Sequence, residues 1–318
     1  MKLAVTGGAG FIGSNFVRAL LAGRHSSLGV ERISVIDNLT YAGTLRNLDG
    51  VLDDIEFHRT DICDTEAVTG HLDGFDAVVH FAAESHVDRS IASGQPFMRS
   101  NTLGTQSMLE AAAAAGVGRF VHISTDEVYG SIPVGATDED APLAPNSPYA
   151  ASKAGSDLVA LAFARTHGLP VVVTRCSNNY GPYQNPEKAI PHFVTTLLGG
   201  GNIPMYGTGT NVRDWLHVDD HGDAVAALLG GTPKESVYNI GGGSQLTNLE
   251  LARLILDELG LDHGRVDFVA DRKAHDARYC VDDSRIRDEF GYRPRRDFTT
   301  TIQETITWYA QNESWWQR

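Results

Sequence analysis

Thr125, Asp126, Glu127, Tyr149 and Lys153 bring a hydroxyl, two adjacent carboxyls and a phenol with a nearby ammonium into one stretch of chain. The last two suit hydride chemistry. A tyrosine ionises near pH ~10, and drawing it down to about 7 takes roughly 4 kcal/mol of preferential stabilisation of the phenolate, which cationic neighbours supply. The two acids suit elimination of water, which needs a base for a carbon acid and an acid for the departing hydroxide. Carboxyls of different proton affinity can divide that labour.

These side chains need elements to place them. Ser147-Pro148-Tyr149 reads as a helix start, with Ser147 as N-cap and Pro148 at the first helical position, where its missing N–H costs nothing. Tyr149 and Lys153, four apart, then share a face. Asp126 and Glu127 follow a strand-like run at 119–124. Neighbours on a strand face opposite ways, so both acids reach one ligand only if the chain has already turned. The plainer reading makes Thr125 a helix cap with acids in the first turn. Tyr-x-x-x-Lys alone is a common accident, and its context decides.

That context begins at the N-terminus. An apolar-rich run, Lys2 to Thr6, leads into Gly7-Gly8-Ala9-Gly10-Phe11-Ile12-Gly13 and then a helix-patterned stretch, Ser14 to Leu21. Gly8, Gly10 and Gly13 fit G-x-G-x-x-G, and Gly7, Gly10 and Gly13 fit G-x-x-G-x-x-G, so the sequence leaves open which glycine makes the turn. Either spacing lets a pyrophosphate approach a helix N-terminus, whose free N–H groups favour anions. A second apolar run at 33–36 ends in Asp37, at the spacing of the acid that holds the adenosine ribose. A carboxylate there repels a 2′-phosphate, so NAD is the cofactor expected rather than NADP.

Further strand-like runs at 55–62, 77–83, 119–124 and 171–177 are spaced for crossover helices, which predicts an α/β fold with a doubly wound parallel sheet. Glu110 and the five alanines after it read as a helix that Gly116 ends; its small side chains suit close packing between subunits or an ordinary crossover. Beyond Tyr180, glycines and prolines break the periodicity. The expected organisation is an NAD-binding domain over 1–180, with returning segments around 212–241, and a smaller substrate domain mainly over 181–318. The 318 residues are 42% hydrophobic, enough to build both cores. A formal charge of −14 argues against nucleic acid as a partner. Cys63, Cys176 and Cys280 lack C-x-x-C spacing, which fits a reducing cytoplasm and implies no zinc site. No apolar run reaches the roughly 20 residues of a membrane span.

The segments GGAGFIG, HFAAESHVDRS, STDEVYG, SPYAASKAGSD, TRCSNNYGPYQNPEK and NVRDWLHVDDH resemble the extended short-chain dehydrogenase/reductase family, most closely its branch acting on dTDP-glucose as a 4,6-dehydratase. Thr-Asp-Glu is the most specific of these motifs, since the epimerases and decarboxylases of the family usually lack the acidic pair. The resemblance implies a soluble homodimer and assigns roles. Tyr149 is the base at the sugar C4 hydroxyl, Lys153 holds the ribose, Thr125 orders the C4 oxygen, Glu127 removes the C5 proton and Asp126 protonates the departing C6 hydroxyl. Gly7, Gly10, Phe11, Ile12, Gly13, Asp37, Asp61, Ile62 and Asn179 would line the NAD site. Ser85, Asn178, Lys188, Arg213, Asn248 and the loop from Asp271 through His275 to Asp276 would face the nucleotide sugar. Two departures stand out: Lys273-Ala274 where the family typically has Pro-Gly, and Ala189 where a larger apolar residue is usual.

Overall fold

The computed structural model describes residues 1–317. Its strands are β1 (Lys2–Thr6), β2 (Arg32–Asp37), β3 (Glu56–Arg59), β4 (Ala77–His80), β5 (Arg119–Thr125), β6 (Val171–Cys176), β7 (Asn178–Tyr180), β8 (Ile203–Tyr206), β9 (Val212–His217), β10 (Val237–Ile240), β11 (Gln245–Thr247) and β12 (Val266–Val269). Seven of them form one sheet in the order β3-β2-β1-β4-β5-β6-β10, every pair parallel. Buried runs such as Leu3-Ala4-Val5, Val78-Val79 and Val171-Val172-Val173 explain this, because a parallel sheet is covered on both faces. One face packs against Val68, Leu72, Met108, Leu109, Ala111 and Ala112. The other packs against Phe16, Val17 and Leu20 from the helix Phe11–Leu21, and against Val225, Ala226 and Leu229 from the helix Val218–Gly230.

The strand order reverses between β1 and β4, and ligands of such sheets bind at the carboxyl ends beside that switch point. β3 stops at Arg59, short of the expected residue 62, because Asp61 turns the chain by accepting the Cys63 N–H at 2.9 Å. β4 stops at His80 rather than 83, and the chain then crosses the glycine loop at Ala82. The alanine helix, Gly104–Ala114, buries Ala111 and Ala112 against the sheet and leaves Ala113 and Ala114 exposed, so it is a crossover helix within the chain.

The C-terminal portion has a core of its own, built from Tyr180, Ile190, Phe193, Val194, Trp215, Leu251, Ile255, Ile302 and Tyr309. It carries a three-stranded sheet, β11-β9-β7, and a two-stranded sheet, β12-β8. Trp308, Trp315 and Trp316 pack against this core. Among the described residues no helix is long and apolar enough to cross a membrane.

Candidate active site

A cavity of about 840 Å³ runs along the carboxyl ends of β1 to β6. At one end is the glycine loop. Gly7 is the residue that makes the turn: its φ is +67°, and a Cβ there would lie 2.6 Å from Ala82 N. Gly10 donates its N–H to Gly7 O at 3.0 Å, and a Cβ on Gly13 would meet the same oxygen at 2.3 Å. Gly8 instead makes room for Val35. Gly10 caps the following helix with no side chain, which leaves the first-turn N–H groups at Phe11 and Ile12 open to an anion. Asp37, at the end of β2, accepts the Ala9 N–H at 3.0 Å on one oxygen and the Leu39 N–H at 2.8 Å on the other, so each oxygen keeps a lone pair for a ribose hydroxyl. Asp61, Ile62 and Asn179 line the same cavity. These features fit a dinucleotide.

At the other end lies the reactive group set. Thr125 ends β5 and caps a single 3-10 turn, Asp126–Tyr129, by accepting the Glu127 N–H at 3.2 Å. The plainer capping reading is therefore true, and it is also what turns both acids into one cavity. The helix Pro148–His167 starts as the sequence indicates, with Ser147 accepting the Ala150 N–H. It delivers Tyr149 and Lys153 to the same wall. Lys153 Nζ donates to Ile123 O at 2.7 Å, and burial pulls its pKa to about 8 against the opposing charge of Asp157. Within the protein alone the Tyr149 phenol stands well above its ordinary value, raised first by burial and then by Glu127 and Cys176.

The two acids are not equivalent. Asp126 is 2% exposed, and its affinity for a proton is raised well above that of an ordinary aspartate by burial, by Glu127 and by Asp214. Its Oδ1 accepts from the Thr125 hydroxyl at 3.3 Å, whereas its buried Oδ2 has no partner among the described residues. Glu127 is also raised by burial, but three cations, Arg213, Lys188 and Arg272, pull the other way. Burial thus disfavours charge on both acids, more strongly on Asp126, which makes Asp126 the better proton donor and Glu127 the better acceptor of the two.

The expected nucleotide residues divide into two groups. Ser85, Asn178 and Lys188 line the cavity, and Lys188 Nζ donates to Ser85 O at 2.6 Å. Arg213, Asn248, Asp271 and His275 lie outside its lining. Arg213 on β9 is buried, stacks 4.4 Å over Tyr279 and donates to Val212 O and Asp276 O, while its charge acts on Glu127. Asp271 and His275 bind each other at 2.7 Å. Asn248 opens the helix Asn248–Glu258. Ala274 takes φ +52°, a left-handed backbone that favours glycine, and Ala189 is exposed at the start of the helix Ala189–Leu198.

Two contributors went unread in the sequence. Asn101, in a π-helical turn over Met98–Leu103, donates to Glu84 O and Ser152 Oγ and accepts from Glu84 N, fastening the loop after β4 to the tyrosine helix. Its only sequence signal is a lone amide inside a helical stretch. Tyr41 meets Ser85 Oγ at 3.2 Å beneath the Arg89 guanidinium, which also pairs with Glu187.

Comparison with known proteins places this arrangement. The family model for GDP-mannose 4,6 dehydratase matches residues 4–305. A dTDP-glucose 4,6-dehydratase from Actinoplanes sp. is 56% identical over 99% of this chain and 100% of its own length. Another from Streptomyces antibioticus is 57% identical over 100% of this chain and 95% of its own. The crystal structure of DesIV, a dTDP-glucose 4,6-dehydratase from Streptomyces venezuelae with NAD and TYD bound, superposes with a TM-score of 0.98 at 55% identity, covering 100% and 99% of the two chains. With matches of this extent behind it, the chain belongs to the nucleotide-sugar 4,6-dehydratase family, in its dTDP-glucose branch.

Proposed function

We propose that this protein is an NAD-dependent hydro-lyase that converts dTDP-glucose to dTDP-4-keto-6-deoxyglucose and water. The observation that carries the reading is that the turn capped by Thr125 brings Asp126 and Glu127 into one cavity with Tyr149 and Lys153, with Asp126 the more strongly biased towards its protonated form. A 4-epimerase or decarboxylase needs Tyr149 and Lys153 but gives this acid–base pair no work.

The glycine loop, the open N–H groups of Phe11 and Ile12, Asp37, Asp61, Ile62 and Asn179 would hold the cofactor. When bound, NAD supplies a hydride acceptor at the sugar C4 and a donor at C6. The protein moves the protons. Tyr149 takes the C4 hydroxyl proton, and the Thr125 hydroxyl orients the C4 oxygen. Lys153, anchored through one N–H on Ile123 O, would have its remaining N–H groups for the cofactor ribose. The resulting C4 ketone acidifies C5–H, and Glu127 removes that proton. Asp126 gives its own proton to the C6 hydroxyl, which leaves as water. After reduction at C6, Glu127 returns a proton to C5.

We assign Ser85, Asn178 and Lys188 to the sugar and diphosphate, and Arg213, Asn248, Asp271 and His275 to the nucleotide, a planar guanidinium being matched to phosphate. The division into a cofactor domain and a smaller C-terminal substrate domain fits the separate C-terminal core. We also propose a cytoplasmic homodimer. Three unpaired cysteines fit a reducing compartment, and Met98, Leu103 and Leu158 form an exposed apolar face for a second copy.

The test is product analysis after incubating purified protein with dTDP-glucose and catalytic NAD. A product lighter by one water, without net NADH accumulation, supports the proposal. An isomer of unchanged mass would replace it with epimerisation.

A further inference from the structure

The end of the chain is fastened to the cofactor loop. Two 3-10 turns lie between β2 and β3, and the first, Leu45–Leu48, carries Arg46 and Asn47. Asn47 is 1% exposed. Its Nδ2 donates to Ala9 O at 2.8 Å, inside the glycine loop, and its Oδ1 accepts from Trp315 Nε1 at 3.2 Å. A carbonyl only accepts and an indole N–H only donates, so the two partners fix the amide in one orientation. Arg46 adds a second tie, donating to Ser314 O at 3.0 Å.

The clamp continues around Tyr183. Arg18, on the helix that follows the glycine loop, donates to Asn47 O at 2.8 Å and to Asp49 O at 2.8 Å, and stacks 4.7 Å over the Tyr183 ring. The same ring meets Trp308 at 4.7 Å and Trp315 at 5.9 Å. Tyr183 holds a left-handed backbone, φ +67°, to sit there.

What the clamp grips is the Ala9 peptide. Its N–H is held by Asp37 and its C=O by Asn47 and by Thr44 N at 3.0 Å. Because the peptide is planar, fixing the Ala9 carbonyl also fixes the direction of the Gly10 amide and the lead into the helix N-terminus. We infer that Trp315 and Asn47 are positioning residues for the dinucleotide: the C-terminal tail holds the glycine loop in its pyrophosphate-binding shape and so slows cofactor loss. This rests on the assignment of NAD to that loop. A cofactor that must carry the same hydride out and back through one turnover benefits from a loop that does not relax between the two transfers.

Trp315→Phe keeps the aromatic packing and removes only the donor, and Asn47→Ala removes the relay. On protein stripped of cofactor, NAD affinity is measured by isothermal titration calorimetry, with dTDP titrated into the same preparations. Loss of one hydrogen bond predicts NAD binding weaker by about three- to tenfold in each variant, with dTDP binding unchanged. The double variant should be no weaker than Asn47→Ala alone, because the two residues act in series. A merely structural role would leave NAD affinity untouched or weaken both ligands together. Wild-type NAD affinity in Trp315→Phe and Asn47→Ala would overturn the inference while leaving the cofactor assignment standing. A wild-type protein that binds dTDP but not NAD would overturn the assignment itself, and the inference with it.

Discussion

The two ends of the cavity are built on opposite terms. At the cofactor end polar groups are matched: both oxygens of Asp37, the N–H and C=O of Ala9 and both polar atoms of the Asn47 amide have partners. At the reacting end they are not. Asp126 Oδ2 and Asn178 Oδ1 are buried without partners among the described residues, and Asp126, Glu127 and Tyr149 all hold protons more tightly than in water. Binding of a permanent ligand calls for a shape that does not change. Proton transfer calls for groups whose charge is disfavoured until the substrate arrives, and such groups weaken the fold that carries them.

The largest expected effects come from the reacting end. Tyr149→Phe should lower turnover by about two to four orders of magnitude, with NADH formation on mixing with substrate lost in proportion. Near wild-type hydride transfer would remove the phenol from the mechanism. Glu127→Gln should slow elimination by a similar factor of about 10²–10⁴ while still forming NADH. Rapid-mixing absorbance separates the two, and equal loss of both steps would contradict the division of labour.

Asp126→Asn sharpens the contrast through stability. The raised proton affinity of Asp126 means that the folded protein keeps a proton which the unfolded chain releases above its ordinary value, about pH 3.9. The unfolded state therefore binds fewer protons in that window, and stability falls as pH rises through it. Asp126→Asn should lose elimination yet melt higher than wild type at pH 7, with the difference shrinking towards pH 4. Thermal melts at the two pH values check this, and a pH-independent difference would contradict a raised proton affinity at Asp126.

Backbone geometry probes the cofactor end. Gly7→Ala places a side chain 2.6 Å from Ala82 N on a left-handed backbone. The backbone alone costs about 1–2 kcal/mol, and the clash adds to it. NAD affinity and melting temperature should both drop. The smallest change is Ala274→Gly, which relieves the φ of +52° and should raise stability by at most about 1 kcal/mol, offset in part by the freer unfolded chain. A denaturant midpoint measures it.

The same contrast governs what could be read from the residues. Runs such as Val171-Val172-Val173, the Ser147-Pro148 start and the glycine spacing act over a few neighbours, so the sheet, the tyrosine helix and the cofactor loop were legible. Gly7 as the turn was not, because its backbone is set against Ala82 in the loop after β4. Nor was the difference between Asp126 and Glu127, since Lys188 and Arg272, which oppose the burial of Glu127, are distant in sequence. Nor was the contact of Trp315 with Asn47, which spans 268 positions and leaves no local trace.

The central claim is that one electron pair leaves C4 and returns to C6 of the same sugar within one pocket. dTDP-glucose deuterated at C4, converted in ordinary water and analysed by NMR, tests it directly. Deuterium at C6 of the product is the predicted result. Deuterium retained at C4, or lost to solvent, would contradict the account.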